Sequence, residues 1–215
     1  IPDDFVARVN SDLVGKYINI ASRCAGFLTK LFDGRLTQGD ARRLTEAARE
    51  TGRVVAECLE ARDSARAVRE IMALADRING EIASAAPWSL AKDETQRAAL
   101  HDICSRALHG FYVLSILLRP LLPALTSRVA HELFGMDRDF VWNDLDVMPT
   151  RINPYQHLMT RIEGKQIEAL VAANKESLTA VPAAASHSPQ RHAAHQQQSE
   201  DKAQEKSGWE TFISI

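Results

Sequence analysis

Between Asp93 and Leu118 the chain carries its most apolar periodic stretch, with Leu100, Ile103, Cys104, Ala107, Phe111, Leu114, Leu117 and Leu118 recurring mostly at steps of three and four. That spacing lays a wide apolar stripe along one helix. So wide a stripe has to be covered on several sides, which makes this segment the central helix of a bundle and obliges the rest of the chain to supply the helices around it. Pro120 and Pro123 end the run, since proline lacks the amide proton and clashes with the preceding turn. Only 10 Gly and 8 Pro among 215 residues, 45% of them hydrophobic, fit the same reading. The fold class expected is all-α.

Three helices precede the central one. The first places Leu13, Tyr17, Ile20, Cys24, Phe27 and Leu31 on one face, with Asp3 or Asp4 as its cap and Phe32-Asp33-Gly34 as its exit. Gly15 and Gly26 inside it call for close packing or the approach of a partner. A second helix runs from about Asp40 to Ala61, with Leu44, Ala48, Val55, Cys58 and Leu59 inward. The third begins near Asp63 or Ser64, carries Ala67, Ile71, Leu74, Ala75, Ile78 and Ile82, and stops at Ala86-Pro87, because the residue before proline is pushed out of the helical region. Beyond the central helix, Pro120 is expected to open a fifth helix that ends near Phe134-Gly135. Residues 135–154 read as irregular, and a last amphipathic helix covers about Glu163 to Ser177.

From about Ala180 the sequence turns to Ala, Gln, Ser, His and Pro without apolar period, which predicts a disordered linker. Thr211-Phe212-Ile213-Ser214-Ile215 is strand-like, and a lone strand is not stable in water, so it reads as the opening of a further domain. The expected layout is 1–150 as the helical domain, 151–180 as a helical segment, 181–210 as the linker and 211–215 as that opening. The net charge is -2, so any nucleic-acid contact has to be a local site rather than a field over the whole chain. Three cysteines, Cys24, Cys58 and Cys104, lack the C-x-x-C spacing of a metal site and read as buried thiols, which together with the odd count suits a reducing, cytoplasmic setting. No stretch approaches the ~18 apolar residues of a membrane helix. Neither a phosphate-cradling glycine loop nor a nucleophile elbow nor H-E-x-x-H occurs. No catalytic residue, metal ligand or cofactor is expected in this segment.

Two features could bind. On the first helix Asp12, Lys16, Asn19, Arg23 and Lys30 share one polar face, more than a right angle from the apolar stripe. A solvated helix face would look the same. The functional reading is recognition of an unpaired base: Asn19 offers a donor and an acceptor on one amide, Arg23 a planar donor fork, and their i, i+4 spacing aims both at one ligand. Trp88, directly after Pro87 in the break between helices, is either a packing plug or a platform on which a base stacks. Trp142, in the irregular stretch, reads as packing, and His101 and His109 as unremarkable.

Specific strings then carry a resemblance. Phe5 to Val14 (FVARVNSDLV), Asn19 to Phe27 (NIASRCAGF), Phe32 to Leu36 (FDGRL), Ala67 to Asp76 (AVREIMALAD), Ala86 to Lys92 (APWSLAK) and Arg119 to Pro123 (RPLLP) occur in the order in which they resemble bacterial methionyl-tRNA synthetases. The resemblance covers nearly the whole chain and implies a helix bundle of the class I aminoacyl-tRNA synthetase anticodon-binding type. Arg161 to Ser177 resembles the helical peptide that returns toward the catalytic domain, and Gln166 to Val171 and Phe212 to Ile215 fit the family layout. It further implies that Asn19, Arg23 and Trp88 with Pro87 read the CAU anticodon of methionine tRNA. Neither the HIGH-like nor the KMSKS-like motif is present, nor the family's zinc-binding cysteines. What the family implies for a whole enzyme is therefore an N-terminal catalytic domain using ATP with Mg and a structural Zn, and a C-terminal OB-like domain that makes a homodimer. The other class of reading is a helical protein-interaction or dimerisation module without RNA reading.

Overall fold

The centre of the molecule is one buried helix. The structure is a computed structural model that describes residues 7–159, and in it Arg97–Leu118 has 15 of its 22 residues buried, as an apolar surface on all sides requires. In chain order the elements are a π-helical segment Val9–Ile18, α1 Asn19–Phe32, α2 Ala41–Glu60, α3 Ser64–Ala85, α4 Pro87–Leu90, a 3-10 turn Glu94–Gln96, α5 Arg97–Leu118 and α6 Pro123–Arg128. A π-helical turn Val129–Leu133 and a 3-10 turn Trp142–Asp146 follow. α1, α2 and α3 all pack on α5. No strand occurs among the described residues, and the all-α class stands.

α1 runs antiparallel to α5. Near its start Tyr17 stacks on Phe111 with centroids 4.6 Å apart, and the Tyr17 hydroxyl lies 2.6 Å from Ser115 Oγ. Ser115 gives its own proton to the Phe111 carbonyl at 2.7 Å, so Tyr17 donates. At the far end Phe32 stacks on His101 at 4.0 Å, and His101 Nε2 donates to the Arg35 carbonyl at 2.8 Å. His101 thus fastens the exit of α1.

Several expectations change in detail. The first helix is continuous with a π-wound opening, and its buried face is Ile20, Ala21, Cys24, Ala25 and Leu28, while Leu31 is 39% exposed. The alanines, invisible to a search for large apolar residues, let α1 approach α5 closely. Gly26 has nothing near it, so close packing does not account for it, whereas a Cβ on Gly15 would lie 3.1 Å from the Asn10 carbonyl oxygen. Pro123 rather than Pro120 occupies the first turn of α6. The caps at Asp3 or Asp4, the helix 163–177, the linker and the terminal strand-like residues lie outside the described residues.

Residues 135–154 are irregular yet tightly held. Phe140, Leu145, Met148 and Ile152 are buried, as is Leu158 further on, so the core continues past position 150. Asp144 accepts two bonds from Arg138, at 2.7 and 2.9 Å, and one from the Val141 amide at 2.7 Å. Trp142 packs beside Gly52 of α2, where a Cβ would meet Leu145 at 2.7 Å. Arg35 and Arg151 form an antiparallel bridge, flanked by Leu36 N–H to the Thr150 carbonyl at 2.9 Å and Ile152 N–H to the Gly34 carbonyl at 2.8 Å.

His109, 2% exposed, ties this strap to α5 by donating from Nε2 to the Pro149 carbonyl at 3.0 Å. Burial holds its imidazole pKa below the ordinary value. In the unfolded chain the ring takes up a proton that the folded chain resists, so the stability it confers is complete above the unfolded pKa and is lost as pH falls through the folded one. The urea midpoint is therefore expected to drop between about pH 7.5 and about pH 5.5, by less in His109→Asn than in the wild type. Equal drops in both would remove His109 as the cause.

Candidate nucleic-acid interface

The polar face of the first helix divides into two parts. Lys16 Nζ lies 3.0 Å from Asp76 Oδ2 on α3 and 3.8 Å from Asp12, and Asn79 of α3 donates to the Lys16 carbonyl at 3.0 Å. These groups join the helix to α3. One turn on, the Asn19 side-chain amide makes no hydrogen bond among the described residues and is partly exposed. Its donor and acceptor are available to a ligand.

The second part of the site comes from the elbow between α3 and α5. Ala86 ends α3 in the left-handed conformation, φ 46° and ψ 65°, and at the same time caps α4. The proline that follows excludes the right-handed helical conformation at Ala86, and its own fixed φ opens α4 at the first helical position. Pro87 is buried, whereas Trp88 next to it is 42% exposed. Burying the proline therefore pins the turn while the indole stays in solvent. The plug reading of Trp88 does not describe it.

Arg23 brings the two parts together. Its guanidinium carbon lies 4.7 Å from the centroid of the Trp88 ring, within cation–π range. Residues 65 positions apart thus form one surface with an exposed indole, a planar cation on it, and an unpaired amide one helical turn away on the same helix. The arrangement can stack a flat ring, hydrogen-bond its edge and attract a neighbouring negative charge. Helical spacing pointed to Asn19 with Arg23 and the proline junction pointed to Trp88, but neither predicts that they meet. Among the described residues no three His, Cys, Asp or Glu side chains are placed to hold a metal, and no helix is long and apolar enough to cross a membrane.

Comparison with known proteins identifies the bundle. Residues 34–161 match the anticodon binding domain of methionyl tRNA ligase, a span that includes Pro87 and Trp88. A methionine–tRNA ligase of Aromatoleum aromaticum is 51% identical over 94% of this chain and 29% of its own length, and one of Nitrosomonas europaea is 45% identical over 99% and 32%. The chain spans about three tenths of the length of these curated relatives. The fold is shared with methionyl-tRNA synthetase of Mycobacterium tuberculosis, in its apo form (TM-score 0.61, 21% identity, 74% of this chain and 34% of that one) and bound by methionyl-adenylate (TM-score 0.60, 20% identity, 74% and 33%). With more than half its residues matched by that family, the chain belongs to the anticodon-binding domains of methionyl-tRNA ligases.

Proposed function

We propose that Asn19, Arg23 and Trp88, with Pro87 beneath, read the CAU anticodon of methionine tRNA, as the recognition part of a larger ligase that attaches methionine to its tRNA using ATP. The observation that supports this most is the Arg23 guanidinium resting on the exposed Trp88 ring. Anticodon bases have to leave their stack before side chains can reach them, and an aromatic face replaces the stacking they lose. A stacked base is worth ~1 to 3 kcal/mol and an exposed cation–π contact ~0.5 to 1 kcal/mol, so a base can displace Arg23 from the indole. The displaced guanidinium is then free for a phosphate or a base edge, while Asn19 pairs with the edge of a neighbouring base.

Family membership favours this reading over a helical module that binds protein alone. Catalysis, with ATP and Mg, belongs in this proposal to a domain N-terminal to the bundle, and a structural Zn to the same part. Homodimerisation through a C-terminal OB-like domain and a cytoplasmic setting complete the proposal.

The direct test is binding of a labelled methionine anticodon stem–loop, compared with the same stem–loop carrying a changed anticodon. Binding weakened by ~5-fold or more by the change is expected from one mismatched base at ~1 to 3 kcal/mol. Equal binding of the two would contradict the reading. Arg23→Ala is expected to weaken binding and, through its phosphate contact, to lower the slope of log affinity against log salt by about 0.7. An unchanged slope would confine Arg23 to base contact.

A further inference from the structure

Apart from proline, glycine is the poorest helix former, and α1 carries one in its middle. Gly26 is exposed, and a Cβ on it would meet no described residue within 4 Å. Two other glycines inside helices are accounted for by their neighbours. A Cβ on Gly52 of α2 would stand 2.7 Å from Leu145 Cδ1, and one on Gly110 of α5 would stand 2.5 Å from Ile78 Cδ1. There the missing side chain makes room for a packed residue. At Gly26 the room is made and no described residue fills it.

The open position is in line with Asn19 and Arg23. Gly26 follows Asn19 by seven residues and Arg23 by three, which sets it about 20° from Asn19 and about 60° from Arg23 around the helix, and about 10 Å beyond Asn19 along it. The buried residues Ile20, Ala21, Cys24, Ala25 and Leu28 take the opposite side. One turn past Gly26, Lys30 is exposed and makes no ion pair among the described residues. No acidic residue occurs in α1, and Asp33 at its end pairs with Arg151 at 3.0 Å. The bare stretch of helix thus lies between two cations, Arg23 before it and Lys30 after it.

We propose that Gly26 is an RNA-contact residue, against which the sugar–phosphate backbone of the anticodon loop lies one turn beyond the Asn19–Arg23 pair. This rests on the anticodon reading above. Without a side chain the helix surface falls back toward its backbone cylinder of radius ~2.3 Å, and glycine is the residue that lets a backbone come close to a ligand. A ribose is an uncharged ring with an anionic phosphate on either side. It fits a bare helix surface whose flanking side chains, Arg23 and Lys30, are cations that can donate to those phosphates. Contacts of this kind position the loop, while the base edges are left to Asn19 and the stacking to Trp88.

The test measures binding of the CAU stem–loop to the full ligase, beside its melting temperature. Gly26→Leu is expected to weaken binding ~5-fold or more, as crowding a close contact does, and Gly26→Ala to weaken it less. The melting temperature of both should stay at or above the wild type, because alanine and leucine are better helix formers than glycine. A purely structural glycine would move both measures together, and Gly26→Ala decides the matter if Gly26→Leu does not fold. Gly80 of α3, exposed and equally open beside Glu81, supplies the control: Gly80→Leu should leave binding unchanged. Wild-type affinity in Gly26→Leu would overturn the proposal, and so would an equal loss in Gly80→Leu. A stem–loop with a changed anticodon separates this proposal from the reading beneath it. If the wild type binds both stem–loops alike, the anticodon reading falls, and a loss in Gly26→Leu still supports RNA on α1. If the wild type discriminates and Gly26→Leu matches it in affinity, the contact at Gly26 falls and the anticodon reading stands.

Discussion

Trp88→Ala in the full ligase is expected to lower aminoacylation of methionine tRNA by roughly 5- to 150-fold, the equivalent of the ~1 to 3 kcal/mol of one stacked base. Methionine activation should be nearly unaffected, because that step needs no tRNA. Asn19→Ala is expected to fall in the same range through loss of a base-edge contact. Both losses should depend on the anticodon. A core tryptophan would behave otherwise: truncating it costs ~3 to 5 kcal/mol in stability and impairs every tRNA alike. Trp88 is 42% exposed and its buried neighbour Pro87 holds the turn, so the melting temperature of Trp88→Ala should stay close to the wild type. A large drop in melting temperature with unchanged discrimination between anticodons would return Trp88 to a packing role.

The largest effect on stability is expected at Gly34. Its φ is 71°, a left-handed conformation that costs a non-glycine residue ~1 to 3 kcal/mol. A Cβ there would stand 2.3 Å from the Ile152 carbonyl oxygen, a backbone atom with no flexible end to move aside. Relief requires the 150–152 segment to retreat, which breaks the Ile152–Gly34 and Leu36–Thr150 hydrogen bonds at ~1 kcal/mol each. Gly34→Ala should therefore cost ~3 to 5 kcal/mol and lower the melting temperature by about 10 °C. Gly26→Ala is the control. It has open space around it inside α1 and should be neutral or slightly stabilising, since alanine is the better helix former. Equal melting temperatures for Gly34→Ala and the wild type would mean that the strap is not held at this crossing.

Much of this was readable from periodicity. The central helix stood out because Leu100 to Leu118 is apolar on nearly every side, a pattern with few other uses in a chain without membrane-length segments. Asp93 marked the start of that segment and caps its 3-10 turn, accepting from the Thr95 amide at 2.9 Å. Helical spacing fixes which residues share a face, but it does not say what lies opposite. That is why periodicity places Leu31 with the core, why Lys16 shares the polar face although it pairs with Asp76, and why Gly34 reads as a helix stop only. The glycine's second role depends on Ile152, more than a hundred residues away. The same limit hides the anchor of the strap: His109 reads as an ordinary helix residue, and only the structure shows that it is buried and holds the Pro149 carbonyl. For the proposed anticodon site, spacing supplies the Asn19–Arg23 pair, the proline supplies the Trp88 elbow, and the family resemblance joins them. The structure puts Arg23 on Trp88.

Tryptophan emission gives the most direct test. The chain has three tryptophans, and replacing Trp142 and Trp209 by phenylalanine leaves Trp88 as the sole indole emitter. A nucleobase stacked on its ring quenches the fluorescence. Titration with the CAU stem–loop is predicted to quench Trp88 saturably, and the stem–loop with a changed anticodon to do so only at ~5-fold or higher concentration. Saturable binding of the CAU stem–loop that leaves Trp88 emission unchanged, or equal quenching by both stem–loops, would contradict anticodon reading at this site.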